Sequence, residues 1–405
     1  MRIKVVPVVR AFMMMLMFSF LEPTGLIDTF VHSVCGLLRM AGFFISIGLL
    51  VLMLLNKRIH TVTEILISVF IITFAVSTLI YSGKINDTCA YLVRNSFSAV
   101  VVLKFLYVQD PRKTCRDMGI MLSAFLILDA LTWVLPGLGN QFGDSIKCFL
   151  GTKTTITYYL MPALAFDYVY WNICEPGEKK LATYILIGAV AGTLGYLVQM
   201  TISTTVICLA LGTAMMFLAR RDNVFINGLT KFGPAIASGL SAVIITGSSL
   251  SLFTYFVTEV LHESSDLSGR IPIWQMIFTY TQRRPLFGYG NSTGIYLSVH
   301  EKTNTSAHNL FLGILLQTGI IGLSLFACVI VYLTVVNIKR RPCNDAVCRF
   351  LLGMLTIMLI VGISEDYINN VATFCVFSLI GNARFFMPDI EKKKAALAPA
   401  GAGSP

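Results

Sequence analysis

The sequence predicts an all-α polytopic membrane protein with about twelve transmembrane helices and one large loop outside the cytoplasm. Of its 405 residues, 56% are hydrophobic and only 13% are charged, and the mean hydropathy is +0.75. A soluble protein of this size carries roughly twice that charged fraction. Apolar runs of about 17 to 25 residues, the length that crosses about 30 Å of hydrocarbon, recur along nearly the whole chain.

Twelve apolar segments are predicted to cross the membrane. They are residues 5–21, 33–55, 62–81, 88–108, 118–136, 156–171, 181–200, 202–219, 234–257, 308–336, 349–363 and 367–386.

The basic residues predict the orientation of these spans. With the N-terminus inside, 20 of the 31 Lys and Arg residues fall on inner segments and seven on outer ones. Cytoplasmic loops of membrane proteins carry such an excess, so both termini are expected in the cytoplasm. The net charge of +10 therefore reports topology, and no nucleic-acid partner is expected.

One outer connection is much longer than the others and divides the chain into parts. Residues 1–257 hold nine spans, 258–307 form the loop, and 308–390 hold the last three spans. Long ordered loops are usually functional. The tail at 395–405, rich in Ala, Gly and Pro, is read as a disordered end or an engineered remnant.

The long loop is expected to contain a helix. Ser268 is a suitable cap, Pro272 suits an early helical position, and "IPIWQMIFTYTQ" follows with helical spacing of its apolar residues. Such a helix would lie along the membrane surface with Trp274 in the interface.

The ten cysteines are scattered singly along the chain. Cys343 and Cys348 share a short basic loop without the histidines or second pair that a zinc site needs. Cys89 and Cys148 could meet outside the membrane as a disulfide, although separate thiols are the plainer interpretation.

Ionisable groups inside a membrane are costly and often functional. Arg39 and Arg94 both fall in the outer thirds of their spans, where they would form either an anion site or a structural pair with Asp129. Lys104 and Asp167 lie in inner thirds and are expected to pair or to extend toward water. Glu365 and Asp366, on the short turn before the last span, are expected to be solvated.

Arginines also flank the predicted helix of the loop. Arg283 and Arg284 follow its end, where positive charges interact favourably with the helix dipole. A capping role therefore explains both arginines, although they are also candidate substrate contacts. Arg270 precedes its start, where a cation is misplaced unless an anion joins it. The free N–H groups of a helix start and a guanidinium together suit a phosphate, so Arg270 is a candidate phosphate ligand.

A histidine opens the tenth span. Thr305 or Ser306 is a suitable cap, which would place His308 in the first turn, where the helix dipole keeps imidazole neutral. A neutral imidazole can accept a proton as a general base. The alternative is that His308 is only a polar anchor at the membrane interface. Asn309 would orient a substrate hydroxyl or satisfy backbone groups, and His300 is a weaker rival base.

The segments "SGRIPIW", "RRPLFGYGNSTG" and "SAHNLFLGILLQTGIIGLSLF" occur in that order within residues 266 to 325. This set resembles the O-antigen ligase and Wzy-type polysaccharide polymerase family. Members share an arginine in the loop, a Pro-x-x-Gly-x-Gly turn, here with Gly288 and Gly290, and a His-Asn pair before a span that contains Gly-x-x-Gly.

The resemblance implies a GT-C-like, inverting, metal-independent glycosyltransferase without a cofactor, in the cytoplasmic membrane of a bacterium. A glycan on undecaprenyl diphosphate would be the donor. By motif position, His308 corresponds to the proposed base and Arg270 to the diphosphate-binding arginine, on the outer face. Besides the lipid-linked glycan and membrane lipids, a chain-length regulator or a flippase of the same pathway is an expected partner.

One departure from the family bears on the reaction. Ligases often carry another arginine around the seventh and eighth spans, where this chain reads "LVQMTISTTVICL" with Ser203 and Thr204 as polar candidates. Either Arg94 or Arg39 supplies that charge, or the enzyme is a polymerase, which is the preferred interpretation. A ligase is the nearest alternative. A lipid-linked oligosaccharide flippase is an alternative of another class. Such a transporter is expected to have two related halves, and the sequence shows no such internal repeat.

Overall fold

The computed structural model describes residues 7–27, 29–56, 59–134, 140–142, 145–200, 202–247, 270–291, 297–299, 302–304, 306–340 and 345–386. Helices form most of this part of the chain. They are α1 (Pro7–Phe20), α2 (Phe30–Leu55), α3 (Val62–Ser82), α4 (Asp87–Gln109), α5 (Pro111–Val134), α6 (Thr155–Ile173), α7 (Lys179–Gln199), α8 (Ser203–Leu218), α9 (Val224–Gly247), α10 (Arg270–Arg283), α11 (Leu310–Arg340), α12 (Asp345–Val361) and α13 (Val371–Gly381).

Two short antiparallel hairpins accompany the helices. Strands β1 (Asn140–Phe142) and β2 (Ser145–Lys147) pair between α5 and α6, with Asn140 opposite Lys147. Strands β3 (Leu297–Val299) and β4 (Lys302–Asn304) pair just before α11, with Leu297 opposite Asn304. The first hairpin lies between two predicted spans, and the second lies between the predicted surface helix and the tenth predicted span.

Among the described helices, six are long and apolar enough to cross a membrane, which indicates a multi-pass membrane protein. Within the described residues, every predicted span overlaps a helix. Several of these helices are too short to count as spans by length, so the number twelve stays a prediction. The ninth span was placed wrongly, because helix α9 starts at Val224 rather than at residue 234. Asn223 accepts the N–H of Ile226 at 2.8 Å as a cap, and Pro234, taken as the start, lies inside the helix.

Connections between helices meet at two opposite ends of the bundle. At one end, the turn before α4 contacts Asn291, because Asn86 donates to the carbonyl of Asn291 at 2.7 Å. Asn291 in turn donates to Asn369, between α12 and α13, at 2.7 Å. Because His308 opens α11 beside the same α12–α13 turn, we name this the His308 end; the sequence predicts that it faces outward.

A buried polar network joins helices α3, α4 and α13 at the other end. The ammonium of Lys104 lies 3.1 Å from the carboxylate of Glu64 and donates to Asn382 at 2.7 Å. Asn382 also donates to Glu64 at 2.7 Å. Asp167 lies elsewhere, where it accepts from Ser123 at 3.1 Å. Lys104 is therefore paired as expected for an inner-third charge, but with Glu64 rather than Asp167.

Helix α11 is interrupted at Gly319, whose φ is +65°. An interruption leaves backbone groups without partners inside the helix, and these must be satisfied elsewhere. Here the segment 285–290 supplies the partners. Tyr289 and Gly290 donate to the carbonyls of Leu316 and Gln317 at 2.9 and 2.8 Å, and the N–H of Ile320 donates to Pro285 at 2.8 Å.

Two glycines make this contact possible. Gly288 has a φ of +62°, and a Cβ there would lie 2.4 Å from the carbonyl oxygen of Leu316. A Cβ at Gly319 would lie 2.3 Å from the carbonyl oxygen of Leu286. The Pro-x-x-Gly-x-Gly and Gly-x-x-Gly sequences therefore meet each other in the fold, and we call this contact the glycine clasp (residues 285–290 with 316–321).

No disulfide joins Cys89 to Cys148. Cys89 accepts a hydrogen bond from Thr78 at 3.3 Å, and the sulfur of Cys148 lies 3.6 Å from the hydroxyl of Tyr196. Cys343 lies outside the described residues, as do His300, Ser268 and the tail from residue 387.

Candidate functional site

The start of helix α11 differs by a few residues from its prediction. The helix begins at Leu310, and Asn309 is the residue that caps it, since its side-chain oxygen accepts the N–H of Leu312 at 3.0 Å. His308 therefore precedes the helix instead of lying in its first turn. Ser306 still contributes, because its hydroxyl accepts the backbone N–H of His308 at 3.1 Å.

Asn309 also ties the helix to the α12–α13 turn. Its side-chain N–H donates to the carbonyl of Ile363 at 3.0 Å, next to the bond from Leu310 N–H to Gly362, which is 2.7 Å long. The residue is completely buried. Of its two predicted roles, the structure supports the satisfaction of backbone groups and leaves no exposed atom for a substrate hydroxyl.

The backbone of His308 has a left-handed conformation with a φ of +48°, and among the described residues it is the one non-glycine residue with a positive φ. Such conformations are sparsely populated by residues with a Cβ, and they concentrate at functional sites. The conformation is held by the neighbours on both sides, through Ser306 and the cap at Asn309. The imidazole is thereby oriented by backbone geometry as well as by packing.

Arg270 lies close enough to His308 to act on its charge. Burial and the neighbouring Arg270 guanidinium together lower the pKa of His308 below its ordinary value of 6.5. The ring is therefore neutral near pH 7 and can accept a proton. The sequence expected a neutral ring from the helix dipole, whereas the structure attributes it first to desolvation and then to Arg270.

Glu365 joins the same cluster, although its sequence indicated only a solvated turn. It is buried, with 7% of its surface exposed. The hydroxyls of Tyr158 and Thr204 donate to its two carboxylate oxygens at 3.4 Å each. Burial raises the pKa of Glu365 above its usual range, and Arg270 partly opposes that rise.

Lys153 lies within electrostatic range of Glu365, where its positive charge makes a small contribution that lowers the pKa of that carboxyl. Its side chain is exposed, while its carbonyl accepts from Tyr196 at 3.2 Å. The prediction that Arg94 or Arg39 replaces the arginine missing from the seventh and eighth spans overlooked this lysine. No local sequence signal distinguishes Lys153 from other loop lysines.

Asp366, beside Glu365, packs against the first turns of α11. A Cβ at Gly313 would lie 2.3 Å from its carboxylate, so only glycine admits the contact. Burial raises the pKa of Asp366 to about 7. The expectation of a solvated turn is therefore wrong for Glu365, whereas Asp366 is half-buried with one carboxylate oxygen enclosed.

Arg283 and Arg284, at the end of α10, are exposed. The guanidinium of Arg284 lies 4.7 Å from the ring centroid of Tyr81 and 5.8 Å from that of Tyr289. Arg284 therefore contacts aromatic rings beside the glycine clasp. Gly288 and Gly290 belong to the clasp itself, where a Cβ at Gly290 would lie 2.5 Å from the Cα of Thr78. A substrate role for these four residues stays a prediction.

The predicted surface helix exists as α10, but Trp274 is not an interfacial anchor. Only 2% of its surface is exposed, and its indole N–H donates to the carbonyl of Ala307 at 3.2 Å. Ile273 and Ile277 are buried on the same face. Helix α10 therefore packs beside the start of α11, which brings Arg270 to His308.

Arg39 and Arg94 form contacts between other helices. Arg39 pairs with Glu22, and its guanidinium lies 5.2 Å from the ring centroid of Tyr91. Asp129 instead accepts the N–H of Leu150 at 2.7 Å. The predicted pair of an arginine with Asp129 is therefore wrong, and the described contacts of Arg39 and Arg94 do not reach His308 or Arg270.

Ser203 and Thr204 begin helix α8 at the His308 end. Ser203 is exposed, and Thr204 contacts Glu365 as described. Within the described part of the chain, no three His, Cys, Asp or Glu side chains are grouped as a metal site, and metal independence stays a prediction.

Comparison with known proteins supports the resemblance seen in the sequence. The model of the O-antigen ligase family (Wzy_C) matches residues 185–327, a segment that contains Arg270, the glycine clasp and His308. This confirms the resemblance to the O-antigen ligase and Wzy-type family. None of the curated proteins matches the chain. Glu365 and Lys153 lie outside the matched segment.

Proposed function

We propose that this protein is a polysaccharide polymerase of the bacterial cytoplasmic membrane. It transfers a glycan from undecaprenyl diphosphate to a hydroxyl of a second lipid-linked repeat unit. The observation that carries the proposal is the position of a neutral His308 beside Arg270 at one end of a membrane bundle, within the segment that matches the O-antigen ligase family.

His308 is the proposed general base. The acceptor oxygen forms a bond to the anomeric carbon while the bond from that carbon to the diphosphate oxygen breaks, which inverts the anomeric configuration. The hydroxyl proton passes to the neutral imidazole, and the electron pair of the broken bond leaves with the lipid diphosphate. A base with a lowered pKa is still adequate here, because the hydroxyl loses its proton only as the new bond forms.

Arg270 stabilises the leaving diphosphate. A guanidinium presents parallel N–H donors that match phosphate oxygens, and the charge that develops on the leaving group strengthens this contact in the transition state. Lys153 is the second cation of the cluster. In our proposal this lysine, from the loop before α6, takes part here, in a pocket that lacks the additional arginine that ligases of the family often carry.

Glu365 is proposed to hold sugar hydroxyls of the acceptor. Its carboxylate already accepts from two protein hydroxyls at 3.4 Å, distances at which hydrogen bonds are weak. Sugar hydroxyls are the same type of donor and can replace them. Thr204 and Ser203 add uncharged polar groups on the same side, as a site for an acceptor sugar needs.

A reaction with a single defined substrate tests the proposal. Purified protein given one lipid-linked repeat unit, with EDTA present, should form a ladder of lipid-linked oligomers and release undecaprenyl diphosphate. Product that forms only after a distinct acceptor is added would establish the ligase instead. If repeat units cross a bilayer intact and mass spectrometry finds no new glycosidic bond, the protein is a transporter and the proposal is wrong.

A further inference from the structure

Helices α2 and α4 pack against each other and each carries an arginine, Arg39 and Arg94, away from the His308 cluster. Arg94 lies seven residues after Asp87, which is about 10 Å along the helix at 1.5 Å per residue. Arg39 lies within electrostatic range of it. Both charges therefore fall inside a helix pair that is long and apolar enough to cross a membrane.

Among the described residues, the carboxylate that contacts this pair is Glu22, and it is already engaged. Glu22 pairs with Arg39 and lies 3.1 Å from the ring nitrogen of His32. Arg39 is 4% exposed and also stacks on Tyr91. The charge of Arg39 is therefore neutralised inside the protein.

Arg94 has no comparable partner in the part of the chain that the structure describes. Among the described residues, its hydrogen-bond acceptor is the thioether sulfur of Met40, at 2.8 Å, and a thioether accepts only weakly. Its Nε is buried without an acceptor. A guanidinium at this depth beside a second cation is costly unless an anion joins it.

The surface around Arg94 is apolar and open. On helix α2, Leu37 is 76% exposed, Met40 46% and Phe44 65%. Such a surface suits a hydrocarbon chain that lies along α2. Arg94 itself is half-buried, so its guanidinium can be approached from the side that faces lipid.

We propose that Arg94 binds the phosphate group of a lipid in the leaflet at the His308 end. Among the described residues, the two guanidinium groups and the Glu22 carboxylate leave one positive charge, which the negative charge of a phosphate group can balance. The planar guanidinium takes two phosphate oxygens, and the lipid tail packs against the exposed side chains of α2. The phosphate belongs either to a membrane phospholipid or to a polyprenyl diphosphate, and the inference does not depend on the proposed reaction.

Lipid binding to purified, delipidated protein tests this site by native mass spectrometry. The probes are dioleoyl phosphatidylglycerol and dioleoylglycerol, which has the same tails without phosphate. We expect the wild type to bind the first and not the second, and Arg94→Gln to weaken binding of the first about tenfold or more. Arg94→Lys should bind phosphatidylglycerol with an affinity between those of the wild type and Arg94→Gln. Such graded binding indicates loss of the site, because a folding defect would not follow the charge of the side chain. Arg221→Gln, at an exposed arginine, is the matched control and should bind as the wild type does.

A second arm identifies the source of the phosphate. Undecaprenyl diphosphate is titrated in an Arg270→Ala background, so that the proposed reaction site does not contribute. If undecaprenyl diphosphate binds at Arg94 more tightly than phosphatidylglycerol does, the phosphate belongs to a polyprenyl diphosphate. The reverse order assigns it to a phospholipid. Equal binding of both phosphorylated lipids by the wild type and Arg94→Gln overturns the site, as does equal binding of dioleoylglycerol and phosphatidylglycerol.

Discussion

Leu310 donates its backbone N–H to the carbonyl of Gly362 at 2.7 Å, and this bond joins the start of α11 to the turn between α12 and α13. His308 lies two residues before the donor, and Glu365 lies three residues after the acceptor. Asn309 reinforces the contact through Ile363. The relative position of the proposed base and the buried carboxylate is therefore set by one main-chain bond and by one bond from the Asn309 side chain to a main-chain carbonyl.

Substitution of His308 should separate chemistry from backbone strain. His308→Ala and His308→Gly should both lose about 10² to 10⁴ in rate, as expected when a general base is removed. Because the native φ is +48°, glycine fits this backbone without strain, whereas alanine should cost about 1 kcal/mol of stability. Thermal unfolding should therefore place Tm of the glycine variant above that of the alanine variant. Near wild-type turnover in either variant would exclude His308 as the base.

The pH at which His308 titrates should depend on the neighbouring charge of Arg270. Its pKa lies below 6.5, so the neutral, active form should persist down to pH values below 6.5 and be lost as the pH falls further. Arg270→Gln removes a repelling positive charge, so the pKa of His308 should rise and its titration should move to higher pH. NMR of ¹³C-labelled imidazoles measures this directly, with His308→Ala to assign the signal among the five histidines. An unchanged or lowered pKa in Arg270→Gln would contradict the proposed proximity.

Arg270→Lys should weaken binding of undecaprenyl diphosphate almost as much as Arg270→Ala does. Lysine keeps the charge but loses the planar pair of donors that grips two phosphate oxygens. Binding to purified protein should be measured with Arg221→Lys as a control at the opposite end. If Arg270→Lys and Arg270→Ala both bind with wild-type affinity, Arg270 does not contact the diphosphate.

The glycine clasp should be sensitive to one added methyl group. Gly288→Ala and Gly319→Ala each force a Cβ within 2.4 Å of a backbone oxygen at a positive φ, so each should cost about 2 kcal/mol or more. Gly239→Ala, in helix α9 with open space around it, should instead stabilise by up to about 1 kcal/mol. Thermal unfolding in detergent compares the three variants. If Gly288→Ala and Gly319→Ala unfold at the wild-type temperature, the two glycine sequences do not lock each other.

Cysteine labelling in intact cells tests which end faces outward. Lys84 is exposed beside the His308 end, and Lys180 is exposed at the opposite end. In a cysteine-free background, Lys84→Cys should react with a membrane-impermeant maleimide in intact cells, whereas Lys180→Cys should react only after permeabilisation. The reverse pattern would invert the predicted topology.

The sequence by itself determined the helical class, the positions of nearly all the helices, and the segment that contains Arg270 and His308. Each of these depends on neighbours along the chain, because hydropathy, caps and glycine spacing are local properties. Helix α9 is the exception, because Pro234 was taken as its start although membrane helices tolerate proline in their interior.

Only the tertiary structure decided which charged groups share a site. Glu365 and Lys153 join His308 and Arg270 from distant parts of the chain, whereas Arg39 is paired away from them with Glu22. Whether a charge is solvated, paired or buried depends on which helices pack around it, and packing determines desolvation and distance together. The sequence predicted most of the candidate residues. The packing of α10, α11 and the α12–α13 turn determines which of them lie near His308.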